Sequence, residues 1–340
     1  MTDQFRGVFL SISRLNSLRQ RIEEQVSPSY EAFAILESQA QGLLNHKIDL
    51  PALWHVPGFY KNSVAHDRVR STLERAANAA YGLALLYQIT GHLHYCQAAI
   101  RLIRAWIQYP IEYSTADDST LCFCYHFPAF LFAEPLISES NAWSAEDRER
   151  FSSFISTTAM SMSCSGKQNN WGAWGNLLET AVGANLGDAE LIARAGRRWK
   201  ELIEIQISSD GLLHREVTRN DGRGDRGIWY THFSMLPLSI CAEIFSNQGI
   251  DLFDYESPSG GSLRNAFVRC ADWVLNPATF PFFRGKSVSE MEGVNYVGYF
   301  EILNRRWLND TSRAILTANR PLSPRHSAPF LTLTHGEPII

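Results

Sequence analysis

The stretch DGLLHREVTRNDGRGDRGIWYTHF, from Asp210 to Phe233, concentrates groups able to do chemistry. It holds Arg215, Arg219, Arg223 and Arg226, the imidazoles of His214 and His232, the carboxylate of Glu216, and the adjacent Trp229 and Tyr230. A guanidinium is a planar fork that binds a carboxylate in two-point fashion, so arginines beside tyrosine and histidine suit an acidic sugar better than a neutral one. A solvated loop with Glu216, Asp221 and Asp225 as counterions would explain the arginines alone. The density of proton carriers beside them points instead to a functional segment.

A second group, Asn169, Asn170 and Trp171 with Trp174 one turn on, stands at the expected start of a helix. One reading is an asparagine N-cap followed by core tryptophans. In the other, the Asn170 amide donates hydrogen bonds to a substrate carboxylate without bringing a charge, and Trp171 is a stacking platform for a sugar ring. Tyr125 and His126, ahead of the apolar run FPAFLFAEPL, are expected to leave a loop end and line a cleft. His55, His66, His92, His94, His326 and His335 read as satisfied or exposed histidines. Glycine-rich phosphate loops, paired HxxxH motifs and a GxSxG elbow are missing, so the spacing argues for no metal and no cofactor.

Helical periodicity dominates the elements that must carry these groups. In STLERAANAAYGLALLYQITGHLHYCQAAIRLIRAWIQY, apolar and small residues recur three and four apart on both sides of TGH, which predicts two antiparallel helices with Gly91 closing the first. Ser144 and Asp147 predict a helix start, and NLGD predicts a turn between two amphipathic helices. Counting the loose pair around Leu15–Leu44, the pattern gives five or six hairpins, with little strand-like alternation and no composition break. The expected fold is all-α: an α/α toroid, an incomplete barrel of hairpins in one domain over 1–340, with loops that precede the inner helices bordering a cleft.

With 340 residues, 45% apolar content and 19% charged residues, the chain can bury a sizeable core. The net charge of −4 gives no overall attraction to nucleic acid or an anionic bilayer. Six scattered cysteines have neither disulfide-scaffold density nor zinc spacing, and read as buried apolar residues. No basic start with an apolar run opens the chain, and no segment is expected to reach bilayer-crossing length. The expectation is a cytoplasmic protein as written, or a secreted or periplasmic one if a leader has been removed.

Taken together, VPGFY, AAYGLALLYQITGHLHYCQAAIRLIRAW, NNWGAW, DGLLHRE and RGIWYTHFSMLPL resemble the alginate-lyase superfamily of polysaccharide lyases, over roughly Val56 to Pro277. The resemblance implies an α/α toroid that cleaves a uronic-acid polymer of the alginate, polymannuronate or glucuronan type. Family 5 alginate lyases carry an Asn-Asn-His motif, an arginine and a downstream tyrosine. Asn169, Asn170 and Arg226 fit this pattern, while Trp171 stands at the histidine's place and Phe233 at the tyrosine's, with Tyr230 one helical turn earlier. The expectation is that Tyr230 has taken the tyrosine's role. A likeness to chondroitin-type lyases places Glu216 near a general base.

Such a lyase removes the C5 proton of a uronate and expels the C4 oxygen. Asn170 and Arg226 are expected to bind the carboxylate and stabilise the developing charge, and Tyr230 to be the acid, with Tyr230, His232 or His214 as the base. Asn169, Trp171, Arg219, Arg223, Trp229, Tyr125 and His126 are expected to bind the acidic polysaccharide. Two alternatives are a non-catalytic acidic-polysaccharide-binding protein and a toroidal glycoside hydrolase, whose two carboxylates could come from Glu216, Asp225, Asp210 and Glu292.

Overall fold

The computed structural model describes residues 7–219 and 226–339. Helices account for nearly all of its regular structure: α1 (Ile12–Glu23), α2 (Ser29–Leu44), α3 (Ser63–Thr90), α4 (Leu93–Gln108), α5 (Ser119–His126), α6 (Pro128–Ile137), α7 (Ala145–Phe154), α8 (Asn170–Leu186), α9 (Ala189–Gln206), α10 (Gly227–Asn247) and α11 (Leu263–Leu275). Short helices at Val288–Glu292, Phe300–Leu303, Asp310–Asn319 and Leu331–His335 follow. The strands among the described residues are two-residue pieces, Leu53–Trp54 paired in parallel with Glu112–Tyr113.

The hairpins form where the periodicity places them. Gly91 ends α3 at φ 73° and Gly187 ends α8 at φ 65°, a left-handed conformation that costs a residue without Cβ little. Ser144 and Asp147 form a reciprocal capping box at the start of α7. The 210–233 stretch departs from the expected loop, because α10 already begins at Gly227. Trp229, Tyr230, His232 and Phe233 therefore point in directions set by a helix.

Burial separates an inner set of helices from an outer one. α8 is buried almost all round from Asn170 to Ala184, and α10 from Gly227 to Phe245. A helix apolar on every side belongs in the interior. α4, α9 and α11 bury one face each and pack outside, α4 on α3, α9 on α8 and α11 on α10. The result is the all-α toroid of hairpins.

One expectation about length needs correction. α5 and α6 run on as Ser119–Ile137, 19 residues long and apolar enough to cross a bilayer, but 83% of that stretch is buried inside the protein. Protein packs around it where lipid would otherwise be needed, as for the core helix of a globular fold. All six cysteines are free and buried.

Candidate active site

The N-terminal ends of α3, α5, α8 and α10 meet at one end of the inner set, around a cleft of about 240 Å³. α3 contributes His66, Asp67 and Arg70, α5 gives Asp118 at its N-cap, Leu121 in its first turn and Tyr125 near its C-terminal end, and α8 gives Trp171. Arg219 comes from the loop before α10, and Arg226, Trp229, Tyr230 and Phe233 from α10 itself. Phe59 and Tyr60 close one side, and Arg325 and His326 the other. Among the described residues four arginines and two aspartates line it, a cationic surplus that the partial positive charge of converging helix starts reinforces.

Hydrogen bonds between distant segments hold these pieces together. The Phe59 N–H donates to Asp118 Oδ2 at 2.8 Å and the Val56 N–H to Ser119 Oγ at 2.9 Å, fixing the 55–62 loop over the start of α5. On the other side, Asn78 Nδ2 donates to the Arg325 carbonyl at 2.9 Å, and Ser327 Oγ to the Tyr125 carbonyl at 3.0 Å.

Tyr230 is 8% exposed, and its hydroxyl lies 2.7 Å from that of Tyr60. Arg219 stacks over its ring, 4.4 Å from the centroid, while Arg226 lies 5.3 Å over the ring of Phe59. Burial pushes the Tyr230 phenol above its ordinary range and the Tyr60 hydroxyl adds to this, against the opposing charge of Arg219. The cation beside the phenol is thus Arg219, and at neutral pH the phenol keeps its proton.

Several expected site residues lie elsewhere. Asn170 is fully buried; its backbone N–H donates to Glu216 Oε1 at 2.6 Å and its Nδ2 to Glu216 Oε2 at 2.8 Å. Both groups sit behind the cleft wall, so Glu216 does not face a substrate as a base and the Asn170 donors are turned away from it. Burial pushes the Glu216 carboxyl up to about 7, opposed by the Asn170 hydrogen bonds and Arg219. Asn169 is the N-cap of α8, accepting from the Trp171 N–H at 3.2 Å.

His232 is on the far side of α10, fully buried, with Nδ1 2.8 Å from the Tyr299 hydroxyl. Sharing a helix with Tyr230 puts a residue two positions on across the axis. His214 is exposed and outside the cleft lining. Tyr125 and His126 end α5 inside a long buried run and not at a loop end; Tyr125 reaches the cleft and His126 lies behind it. Trp171, Arg219, Arg226, Trp229 and Tyr230 do converge on the cleft. Arg223 and Asp225 lie outside the described residues, as does the side chain of Glu292.

Arg70 and Arg325 were not among the expected site residues, and His66 and His326, read from sequence as satisfied or exposed histidines, also line the cleft. His66 and Arg70 carried a usable signal, since a spacing of four puts them on one face of α3. Arg325 and His326 sit in an irregular segment, where no periodicity reports direction.

Fold and cleft together define an α/α-toroid polysaccharide lyase. The chain belongs to the alginate lyase family, whose model matches residues 27–280. No curated protein matches it by sequence. Its fold is similar to that of alginate lyase A1-III in a variant complexed with tetrasaccharide, at 18% identity and TM-score 0.81 over 99% of this chain and 97% of that one. It is also similar to A1-III from Sphingomonas species A1, at 18% identity and TM-score 0.79 over 98% and 97% of the two chains. An alginate lyase from Bacteroides ovatus is similar at 16% identity and TM-score 0.77, over 96% and 98%.

Proposed function

We propose that this protein cleaves a uronic-acid polymer by β-elimination in the cleft between α3, α5, α8 and α10. The observation that carries the reading is the buried phenol of Tyr230 under Arg219, with Arg226 over Phe59 in the same cleft, whose described lining has a cationic surplus. Each part matches a need of the reaction. The substrate repeats a carboxylate, which guanidinium groups bind in two-point fashion, and abstraction at C5 places further negative charge beside that carboxylate, which fixed cations stabilise.

Arg226 takes the carboxylate of the reacting uronate, and Arg219 both binds and holds the Tyr230 ring. Tyr230 gives its proton to the departing C4 oxygen, a task for which a phenol kept protonated is suited. Asn170 is assigned a supporting part: tied to Glu216, it orients the first turn of α8 so that Trp171 faces the sugar. That the similar A1-III structure is complexed with tetrasaccharide supports an oligosaccharide in this cleft.

A hydrolase would need two free carboxylates across the bond. The cleft aspartates are engaged, Asp67 with Arg70 at 2.7 Å and Asp118 with the Phe59 N–H, while Asp210 is exposed outside the lining. The test is incubation with mannuronate, guluronate and glucuronate polymers, following absorbance of the C4–C5 double bond. Elimination produces it on at least one polymer. Chain shortening without absorbance means hydrolysis, and saturable binding with no shortening means a binding protein.

A further inference from the structure

The reaction needs a base as well as an acid, and the histidines first expected to serve lie outside the cleft. Among the described residues, His66 and His326 are the imidazoles in its lining. Both nitrogens of His66 face protein: Nδ1 lies 2.9 Å from the Pro57 carbonyl and 3.4 Å from Asp118, and Nε2 lies 3.9 Å from Cys122 Sγ. His66 therefore reads as a brace between α3, α5 and the 55–62 loop.

His326 has different surroundings. Its ring lies 4.7 Å from Tyr125, 5.4 Å from Phe233, 5.8 Å from Trp174 and 5.6 Å from Tyr296, centroid to centroid, and stacks on His126 at 5.4 Å. It is 3% exposed and lines the cleft, while its Nδ1 is buried without a hydrogen-bond partner among the described residues, which leaves Nε2 as the nitrogen to meet a substrate. Among the described residues no carboxylate forms an ion pair with it. The segment carrying it is tied to α3 through Asn78 and to α5 through the Tyr125 carbonyl, so the ring is held, not merely lodged.

Resting on the lyase reading above, we propose that His326 is the general base that removes the C5 proton, with Tyr230 as the separate acid. The proton moves from C5 to an imidazole nitrogen, and the C5–H electron pair forms the C4–C5 double bond. The C4–O bond breaks with its pair on oxygen, which takes the Tyr230 proton. The imidazolium then loses its proton and the phenolate regains one through solvent, restoring both groups.

Charges around His326 suit this task. Burial holds the imidazole well below its ordinary range, and Arg325, His126 and Arg70 act in the same direction. The ring is therefore neutral, with a lone pair, when substrate arrives. A uronate carboxylate among those arginines offsets their charge and raises the affinity of the ring for the incoming proton.

Wild-type enzyme, His326→Phe and His326→Gln are compared on the polymer that gives the ultraviolet-absorbing product. Phenylalanine preserves a ring in the aromatic surroundings, and glutamine preserves polarity. Loss of one proton carrier predicts a fall in kcat of about 10²–10⁴-fold, with binding of the oligouronate unchanged within a few-fold. Added imidazole should restore part of the turnover of His326→Ala. A folded Phe or Gln variant within tenfold of wild type overturns the assignment. Wild-type enzyme supplies a test that needs no variant: the acid limb should lie at higher pH in kcat than in kcat/KM, because bound uronate raises the imidazole. Coincident limbs, or none, overturn it too. If wild type forms no absorbing product on any uronate polymer, the lyase reading fails, and not the choice of base.

Discussion

Glu216 grips Asn170 twice, accepting the backbone N–H at 2.6 Å and the side-chain amide at 2.8 Å, and both residues are completely buried. The pair joins the first turn of α8, which carries Trp171 into the cleft, to the loop that carries Arg219. A carboxylate with two donors is satisfied when ionised, yet burial dominates and pushes it up to about 7. The folded protein thus holds this proton more tightly than the unfolded chain. Stability from this group is complete below about pH 4.5 and is lost as pH rises through about 7. The loss amounts to roughly 3 kcal/mol at most. Urea titrations from pH 4.5 to 8 should show it, and Glu216→Gln should flatten that slope. Glu216→Ala should cost more, about 2–4 kcal/mol, because two buried donors lose their acceptor. An unchanged slope in the Gln variant would remove Glu216 as its source.

Tyr230→Phe should lower kcat by about 10²–10⁴-fold while leaving oligouronate binding nearly intact, since only the proton carrier is lost. Tyr60→Phe acts on the same phenol from outside. Its hydroxyl helps to hold Tyr230 protonated, so its removal should move the alkaline limb of the pH–rate profile to lower pH. A limb that stays in place after the Tyr60 change would show that Tyr230 does not set it.

Arginines on the cleft wall predict a salt-sensitive KM. Charges open to solvent are screened over about 8 Å at physiological ionic strength, so raising salt should raise KM on a polyuronate. Arg226→Ala should raise KM at low salt and make it less salt-dependent. Steady-state kinetics at several salt concentrations measures both effects, and a KM indifferent to salt would count against the arginines as carboxylate ligands.

Backbone contact at the start of α8 predicts a stability effect remote from chemistry. A Cβ on Gly175 would lie 2.2 Å from the Ser165 nitrogen, and one on Gly172 1.8 Å from the Lys167 carbonyl oxygen. Backbone cannot yield as a flexible side chain does, so Gly175→Ala should cost roughly 1–3 kcal/mol, as overpacking does. Thermal melting of the variant is the direct check, and an unchanged Tm would mean that the 164–167 turn moves freely.

What the amino-acid order determined by itself is local. Gly91, Gly187 and the Ser144–Asp147 box mark where hairpins turn and begin, because left-handed backbone and orphan N–H groups make demands that neighbouring residues meet. The hairpin pattern carried the toroid, and motif order carried the family. Tertiary structure decided which chemical groups meet. Periodicity gives a side chain's direction relative to its own helix axis, not what another part of the chain places opposite. Tyr230 and His232 are indistinguishable as a pair in sequence, but one faces the cleft and the other faces Tyr299. His326 reaches the cleft because its neighbours are held there, the Arg325 carbonyl by Asn78 and Ser327 Oγ by the Tyr125 carbonyl, across separations of 247 and 202 residues. Burial then sets the proton affinities of Tyr230, Glu216 and His326, because desolvation depends on everything packed around a group.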